Sequence, residues 1–420
     1  IQKALENCQH QTVYYECSKG AMQDNIDGLV RELVRVKMLP VPLNFSTLQD
    51  VFIYLNALPK KIVVVIDEYP YLKKATDSAT VDSIFQNIID NRLSNIELVL
   101  SGSHVGMMKG LLQERNALYG RFAVTIKLNE LNYLDAARFY PDRTPYDKVA
   151  HYAVFGGSPF VNQALNPAAT LRENVISTIL NPVSAVYLYA SQLLLSDYSV
   201  KINAERIFSV IGNGKKRYTE IEDKLDVKKT GNLSKQIKSL TELEIVSRNS
   251  PINKIGDNKK ATFEINDNLL RFYFTFIYKN ASALQVLGAE AFYDEYVAPT
   301  LTDFISRRFK GICRDYFSLQ VRSGKLKGVR NIGSYYYDDP VHRKNGEFDV
   351  ALELADGYAI YEAKYYAQPM TLDEIRREAQ QVANIKELAV KQLGFIAING
   401  FVEQEKPYTY LDGNDIFAGM

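Results

Sequence analysis

The chain has 420 residues, 46% of them apolar and 24% charged, a length and composition suited to about two to four domains that each bury a core. Its 50 Lys and Arg nearly cancel its 49 Asp and Glu, which excludes a globally basic nucleic-acid coat and leaves only local charge to be informative. Cys8, Cys17 and Cys313 form no C-x-x-C pair, and His10, His104, His151 and His342 show no ligand spacing; both features argue against structural zinc and for a reduced, cytoplasmic protein.

In chain order, Ile1-Gln2-Lys3-Ala4-Leu5-Glu6 lacks Met, is too polar for a signal sequence and reads as the middle of an amphipathic helix. No apolar run approaches the roughly 18 residues that span a bilayer, so no membrane partner is expected. The run Ile62-Val63-Val64-Val65-Ile66-Asp67-Glu68 predicts a buried strand that delivers two acids at its carboxyl end, and it resembles a Walker B motif. In P-loop NTPases the first acid helps hold Mg²⁺ and the second polarises the attacking water. The blander alternative is that both acids cap the next turn. Val81, Ile84, Phe85, Ile88 and Ile89 recur at helical spacing, and Ile96-Glu97-Leu98-Val99-Leu100 ends in Ser101-Gly102-Ser103. Strand, helix and strand in this order imply a parallel sheet, and Ser101 or Ser103 at the second tip suits a sensor of the nucleotide's γ-phosphate. No G-x-x-x-x-G-K-[ST] phosphate cradle occurs in the chain. Further on, Leu118-Tyr119-Gly120-Arg121-Phe122 precedes an expected strand over 123–128 with Val124, Ile126 and Leu128 on one face. Arg121 is a candidate for phosphate contact, or else a solvated or acid-paired arginine.

From 146 to 195 the pattern is helical, broken by Phe155-Gly156-Gly157-Ser158-Pro159 and Asn181-Pro182. Residues 201–265 predict three helices and a two-stranded wing, the order of a winged helix. This stretch holds 14 Lys and Arg against 9 Asp and Glu, and Lys228, Lys229, Lys235 and Lys238 on or near the third helix are candidate DNA contacts. Docking to another protein is the alternative use of such a module. In the last third, 347–354 and 358–366 alternate about Asp356-Gly357, which predicts a hairpin. With a two-residue loop, Ala355 pairs with Tyr358, Ala351 faces Glu362 and Asp349 faces Lys364. Asp349 and Glu362 are then diagonal neighbours, roughly 7 Å apart at the backbone, placed to share a divalent cation with Lys364 beside it. That geometry is similar to PD-(D/E)xK nucleases; a surface ion pair between Asp349 and Lys364 is the simpler alternative.

Together the acid-tipped strand, Ser101-Gly102-Ser103, Gly120-Arg121, Gly156-Gly157-Ser158-Pro159, the winged-helix pattern and the stretch from Phe263 through Asn266-Asp267-Asn268-Leu269-Leu270-Arg271 to Phe274 resemble the archaeal-type ATPases of the AAA+/STAND group. Their C-terminal domain is similar to the restriction-endonuclease fold. The resemblance implies an α/β protein: a P-loop NTPase parallel-sheet core over 1–140, a helical lid over 141–200, a winged helix over 201–280 and a PD-(D/E)xK-like domain over 281–420. It implies ATP and Mg²⁺ as ligands, with Asp67 associated with magnesium and Glu68 as base. Two features depart from the family pattern. In relatives the P-loop lies just before the position of Ile1, so the cradle is expected upstream of this stretch, with its loss as the alternative; and Lys310 stands where an acid often completes a nuclease metal site, repelling the cation that Asp349 and Glu362 would hold. Three readings follow: an ATPase coupling nucleotide state to the later domains; a DNA-binding or DNA-cleaving protein with a regulatory ATPase domain; and a non-catalytic scaffold. Assembly into oligomers stays open.

Overall fold

The computed structural model describes residues 1–75, 78–91, 93–192, 204–226, 231–339 and 341–419, and the chain folds as two units, 1–128 and 129–420.

In the first unit, β1 (Gln11–Glu16), β2 (Ile62–Asp67) and β3 (Ile96–Leu100) form a parallel sheet in the order β1-β2-β3. The central strand is apolar without alternation because both its faces are covered: Ile62 through Ile66 are all buried. Parallel neighbours require crossovers, supplied here by α1 (Met22–Arg35) and α2 (Leu48–Asn56) between β1 and β2, and by α3 (Tyr69–Ala75) and α4 (Ser78–Asp90) between β2 and β3. Thr47 caps α2 by accepting a hydrogen bond from the Asp50 amide. Val13, Leu29, Leu33, Phe52, Leu55, Val64, Ile66 and Phe85 share one core.

The strand expected over 123–128 does not form. Val124, Ile126 and Leu128 are 72%, 77% and 86% exposed. Among the described residues β3 pairs with β2 alone, and a segment without a ladder partner leaves its amides and carbonyls to water whatever its alternation.

The second unit begins with short helices, among them α5 (Pro145–Phe155). Helices α6 (Ala204–Ile211), α7 (Tyr218–Leu225) and α8 (Asn232–Glu242) then lie where their apolar spacing predicts, and Ile207, Ile211, Ile221, Leu233, Ile237 and Leu240 are buried. β5 (Val246–Asn249) and β6 (Thr262–Ile265) pair antiparallel, and a two-residue strand before α7, β4 (Lys216–Arg217), joins β6 on its other side. Asp267 caps α9 (Asn268–Phe272), accepting from the Leu270 amide at 2.7 Å.

The 25-residue helix α10 (Ala298–Arg322) buries Leu301, Phe304, Ile305, Phe309, Ile312, Cys313 and Phe317, a three- and four-residue spacing that makes one apolar stripe. It packs against a five-stranded sheet ordered β11-β10-β9-β8-β7. There β7 (Asn331–Asp339), β8 (Lys344–Glu353) and β9 (Tyr358–Lys364) run antiparallel, and β9, β10 (Val390–Ala397) and β11 (Thr409–Asp412) run parallel, with α11 (Leu372–Ala383) crossing between β9 and β10.

The β8–β9 register departs from expectation by two residues. Glu353 pairs with Tyr358 and Val350 with Tyr361, so the connection is a four-residue loop in which the Leu354 amide donates to the Gly357 carbonyl at 2.9 Å. A Cβ at position 357 would lie 2.3 Å from the Ala389 carbonyl oxygen, so the backbone beyond the hairpin helps set this turn. A shift of two keeps every side chain on its expected face, but Asp349 now falls opposite Glu362, one step past the last paired residues.

Candidate nucleotide site

Asp67 ends the central strand at the edge where neighbouring strand tips converge. The Ser101 amide donates to the Ile66 carbonyl at 3.0 Å and the Tyr69 amide to the Ser101 carbonyl at 2.9 Å, so the two strand tips are locked together. The Asp67 carboxylate is surrounded by donors: the Ser101 hydroxyl at 2.6 Å, the Glu68 amide at 3.0 Å and the Tyr14 hydroxyl. Burial pushes its pKa up, but the bonds from Ser101, Tyr14 and Glu68 outweigh burial and hold it below the ordinary carboxylate value. Tyr14 is pushed the other way, by burial and then by its bond to Asp67, and keeps its proton. Cys17 beside them is driven up to about 12 by burial and by the charges of Asp67 and Glu68, which makes it an inert thiol.

Glu68 has φ +50°, a left-handed conformation that non-glycine residues adopt at a cost of order 1 kcal/mol or more. It turns the chain out of β2, and the Tyr71 amide closes back on the Glu68 carbonyl at 2.8 Å. One carboxylate oxygen of Glu68 accepts from the Ser103 hydroxyl at 3.1 Å. The structure thus brings Asp67, Glu68, Ser101 and Ser103 together as two acid–hydroxyl pairs.

Sequence reasoning missed Tyr14 and a group of cations at the same edge. Lys19 lies 5.0 Å and Lys74 5.8 Å from the Tyr71 ring centre, and Lys74 Nζ is 3.4 Å from His104 Nε2. The available signal was positional: Lys19 follows the end of β1 by three residues and His104 the end of β3 by four, and loops after adjacent parallel strands gather at one edge.

Arg121 is not brought to the acids. It forms a two-pronged pair with Asp90, at 2.8 and 2.7 Å. Asp90 is the last residue of α4, the helix that returns the chain to the start of β3, so the pair stands at the opposite edge of the sheet.

In the second unit Asp349 and Glu362 are neighbours across strands, but each is claimed by a cation. Lys310 Nζ sits 2.6 Å from Asp349, and the Ala363 amide points at the same carboxylate at 3.4 Å. Lys364 bridges Glu362 at 2.8 Å and Glu378 at 2.9 Å, so the expected Asp349–Lys364 opposition is replaced by an intra-strand pair. Burial first, then the charge of Asp349, pushes Glu362 up to about 8 against the pull of Lys364. Lys364 is held above its ordinary value because Glu362 and Glu378 outweigh burial. Among the described residues no group of three or more His, Cys, Asp or Glu is placed to hold a metal ion. Lys235 and Lys238 are exposed on α8, the latter 3.8 Å from Glu242; Lys228 and Lys229 lie outside the described residues. No helix among them is long and apolar enough to cross a membrane.

Residues 273–380 match the family DUF234, archaeal and bacterial proteins of unknown function. The uncharacterized protein MJECL04 of Methanocaldococcus jannaschii is 27% identical over 329 residues, 77% of this chain and 70% of that protein. Among solved structures, the Walker-type ATPase PABY2304 of Pyrococcus abyssi is similar at TM-score 0.47 and 17% identity, covering 63% of this chain and 84% of that one. The ORC2 protein of Aeropyrum pernix, solved as ADPNP and ADP complexes, is similar at TM-score 0.43 and 10% identity, covering 68% and 81%.

Proposed function

We propose that the chain is an AAA+-like ATPase whose residues 1–128 supply the magnesium-facing and water-activating half of the site. The supporting observation is the pair of adjacent acids at the carboxyl tip of the buried central strand, each hydrogen-bonded to a serine from the tip of β3. Magnesium is commonly held by one or two carboxylates with water and substrate phosphates completing its shell, and Asp67, kept ionised by Ser101 and Tyr14, suits that demand. The ion, when bound, neutralises charge that builds on the phosphate oxygens. Glu68 is the base: Ser103 occupies Oε2, which orients the carboxylate and leaves Oε1 to take the proton of the attacking water. Ser101 and Ser103 report the state of the γ-phosphate through these two acids. In this reading nucleotide state is coupled to residues 129–420, with the winged helix over 201–280 and the nuclease-like domain over 281–420 as effectors.

DNA cleavage is not the favoured reading, since Lys310 and Lys364 neutralise the carboxylates that a metal would need. The deciding experiment is ATP turnover by protein extended upstream of Ile1, compared with Glu68→Gln. Loss of a general base lowers turnover by roughly 10²–10⁴-fold while nucleotide binding persists. Equal turnover in both proteins removes Glu68 from the chemistry, and no nucleotide binding by the extended protein makes the unit a scaffold.

A further inference from the structure

Residues 129–420 form an open cleft of about 800 Å³, within the size range of ligand sites. Its walls are the loop 212–216, the small β4–β6–β5 sheet, α10 and the β7–β8 pair. Seven Lys and Arg and four Asp and Glu line it. Three of the acids are matched within the fold: Glu347 by Lys215 at 2.5 Å, Asp349 by Lys310 at 2.6 Å and Glu264 by Arg271 at 3.0 Å. Lys216, Arg248, Arg307 and Arg314 are left against Asp315 alone. Arg248 bonds the Asn258 side chain, Arg307 the Asn213 carbonyl and Arg314 the Asp349 carbonyl. These neutral acceptors orient the guanidinium groups without cancelling their charge.

Arg271 belongs to the same wall but is spent within the fold: its side chain is 6% exposed, and Nη2 reaches Glu264 and the Ile265 carbonyl.

We propose that this cavity binds phosphate groups, those of a nucleic-acid backbone or of a free polyphosphate. Several cations spread over separate walls, with an excess over the acids, suit a ligand that carries several charges, and planar guanidinium forks match phosphate oxygens in pairs. The site is distinct from the lysines of α8, whose exposed face carries Lys235 and Lys238.

The test is fluorescence anisotropy with labelled single-stranded and duplex DNA over a range of salt, without ATP, so that its outcome is independent of the ATPase reading. Tripolyphosphate serves both as a competitor and as a directly titrated ligand. Lys216→Ala combined with Arg248→Ala weakens binding by roughly tenfold or more and flattens the salt dependence by about one to two ion equivalents. Arg307→Gln, on the α10 wall, lowers affinity in the same direction, which guards against a local folding defect in the double variant. DNA binding weakened by the cavity variants, with tripolyphosphate neither binding nor competing, assigns the site to nucleic acid; tripolyphosphate binding lost in the cavity variants assigns it to a free polyphosphate. Binding of neither probe, or affinity untouched by the cavity variants, overturns the proposal.

Discussion

At the scale of single residues, the position of the adjacent acids was legible because an apolar run that ends in Asp67-Glu68 marks a buried strand with polar residues at its tip. Tyr14, Lys19 and His104 were not, because they reach the same place from other strand tips and no local pattern records which strands are neighbours. His151 shows what burial does to a residue that sequence could only call scattered. It is 1% exposed on α5, with Nδ1 bonded to the Asp147 carbonyl at 2.8 Å and Nε2 without a partner between the rings of Tyr140 and Phe155. Burial lowers its pKa from the ordinary 6.5 to about 4. The folded state therefore favours the neutral ring. The resulting stabilisation, on the order of 3 kcal/mol, is complete above pH 6.5 and lost as pH falls through about 4. Urea midpoints measured across that window should slope downward with acid for the wild type. In His151→Gln the slope should be much shallower; an unchanged slope would place the acid sensitivity elsewhere.

At the scale of elements, alternation was a good guide to the direction of side chains and a poor guide to whether a strand forms. The 123–128 segment has the pattern of a strand and lacks a partner, whereas β8 and β9 keep their predicted faces under a register two residues from the expected one. Faces follow from chain periodicity; pairing depends on geometry outside the pair, as the approach of Ala389 to Gly357 shows. Helical spacing fared better, since an apolar stripe needs only one covering surface. Phe85 on α4 is the clearest instance: fully buried, it meets Phe52 edge-on with ring centres 5.9 Å apart and Tyr69 at 5.1 Å. Phe85→Ala should cost the 1–128 unit about 3–5 kcal/mol, read by denaturant unfolding with a probe confined to that unit. A cost below about 1 kcal/mol would mean that the core collapses around the gap.

At the scale of the molecule, three domains are expected after the first, and the largest buried cluster beyond residue 128 draws on all three stretches, with two smaller clusters beside it. That largest cluster runs from Tyr133 to Phe417, with the Tyr133 hydroxyl donating to the Ile416 carbonyl at 2.9 Å. The Tyr365 hydroxyl donates to the Tyr146 carbonyl at 3.1 Å, and the two rings stack with centres 4.3 Å apart. Both contacts span more than half the sequence, the first reaching the last helix of the chain and the second tying the stretch expected as a lid to the end of β9, and sequence could not show them because a docking face between two domains has the same apolar spacing as a face within one. The Tyr146–Tyr365 contact predicts that α5 and the C-terminal sheet open together. Tyr365→Ala should therefore raise amide hydrogen exchange in α5 together with β9, although α5 is far from the substitution in sequence. Exchange that rises in β9 while α5 stays protected would separate the two again and restore the lid as an independent domain. Joint loosening would mean that any signal reaching the lid is felt directly by the strands that carry Asp349 and Glu362.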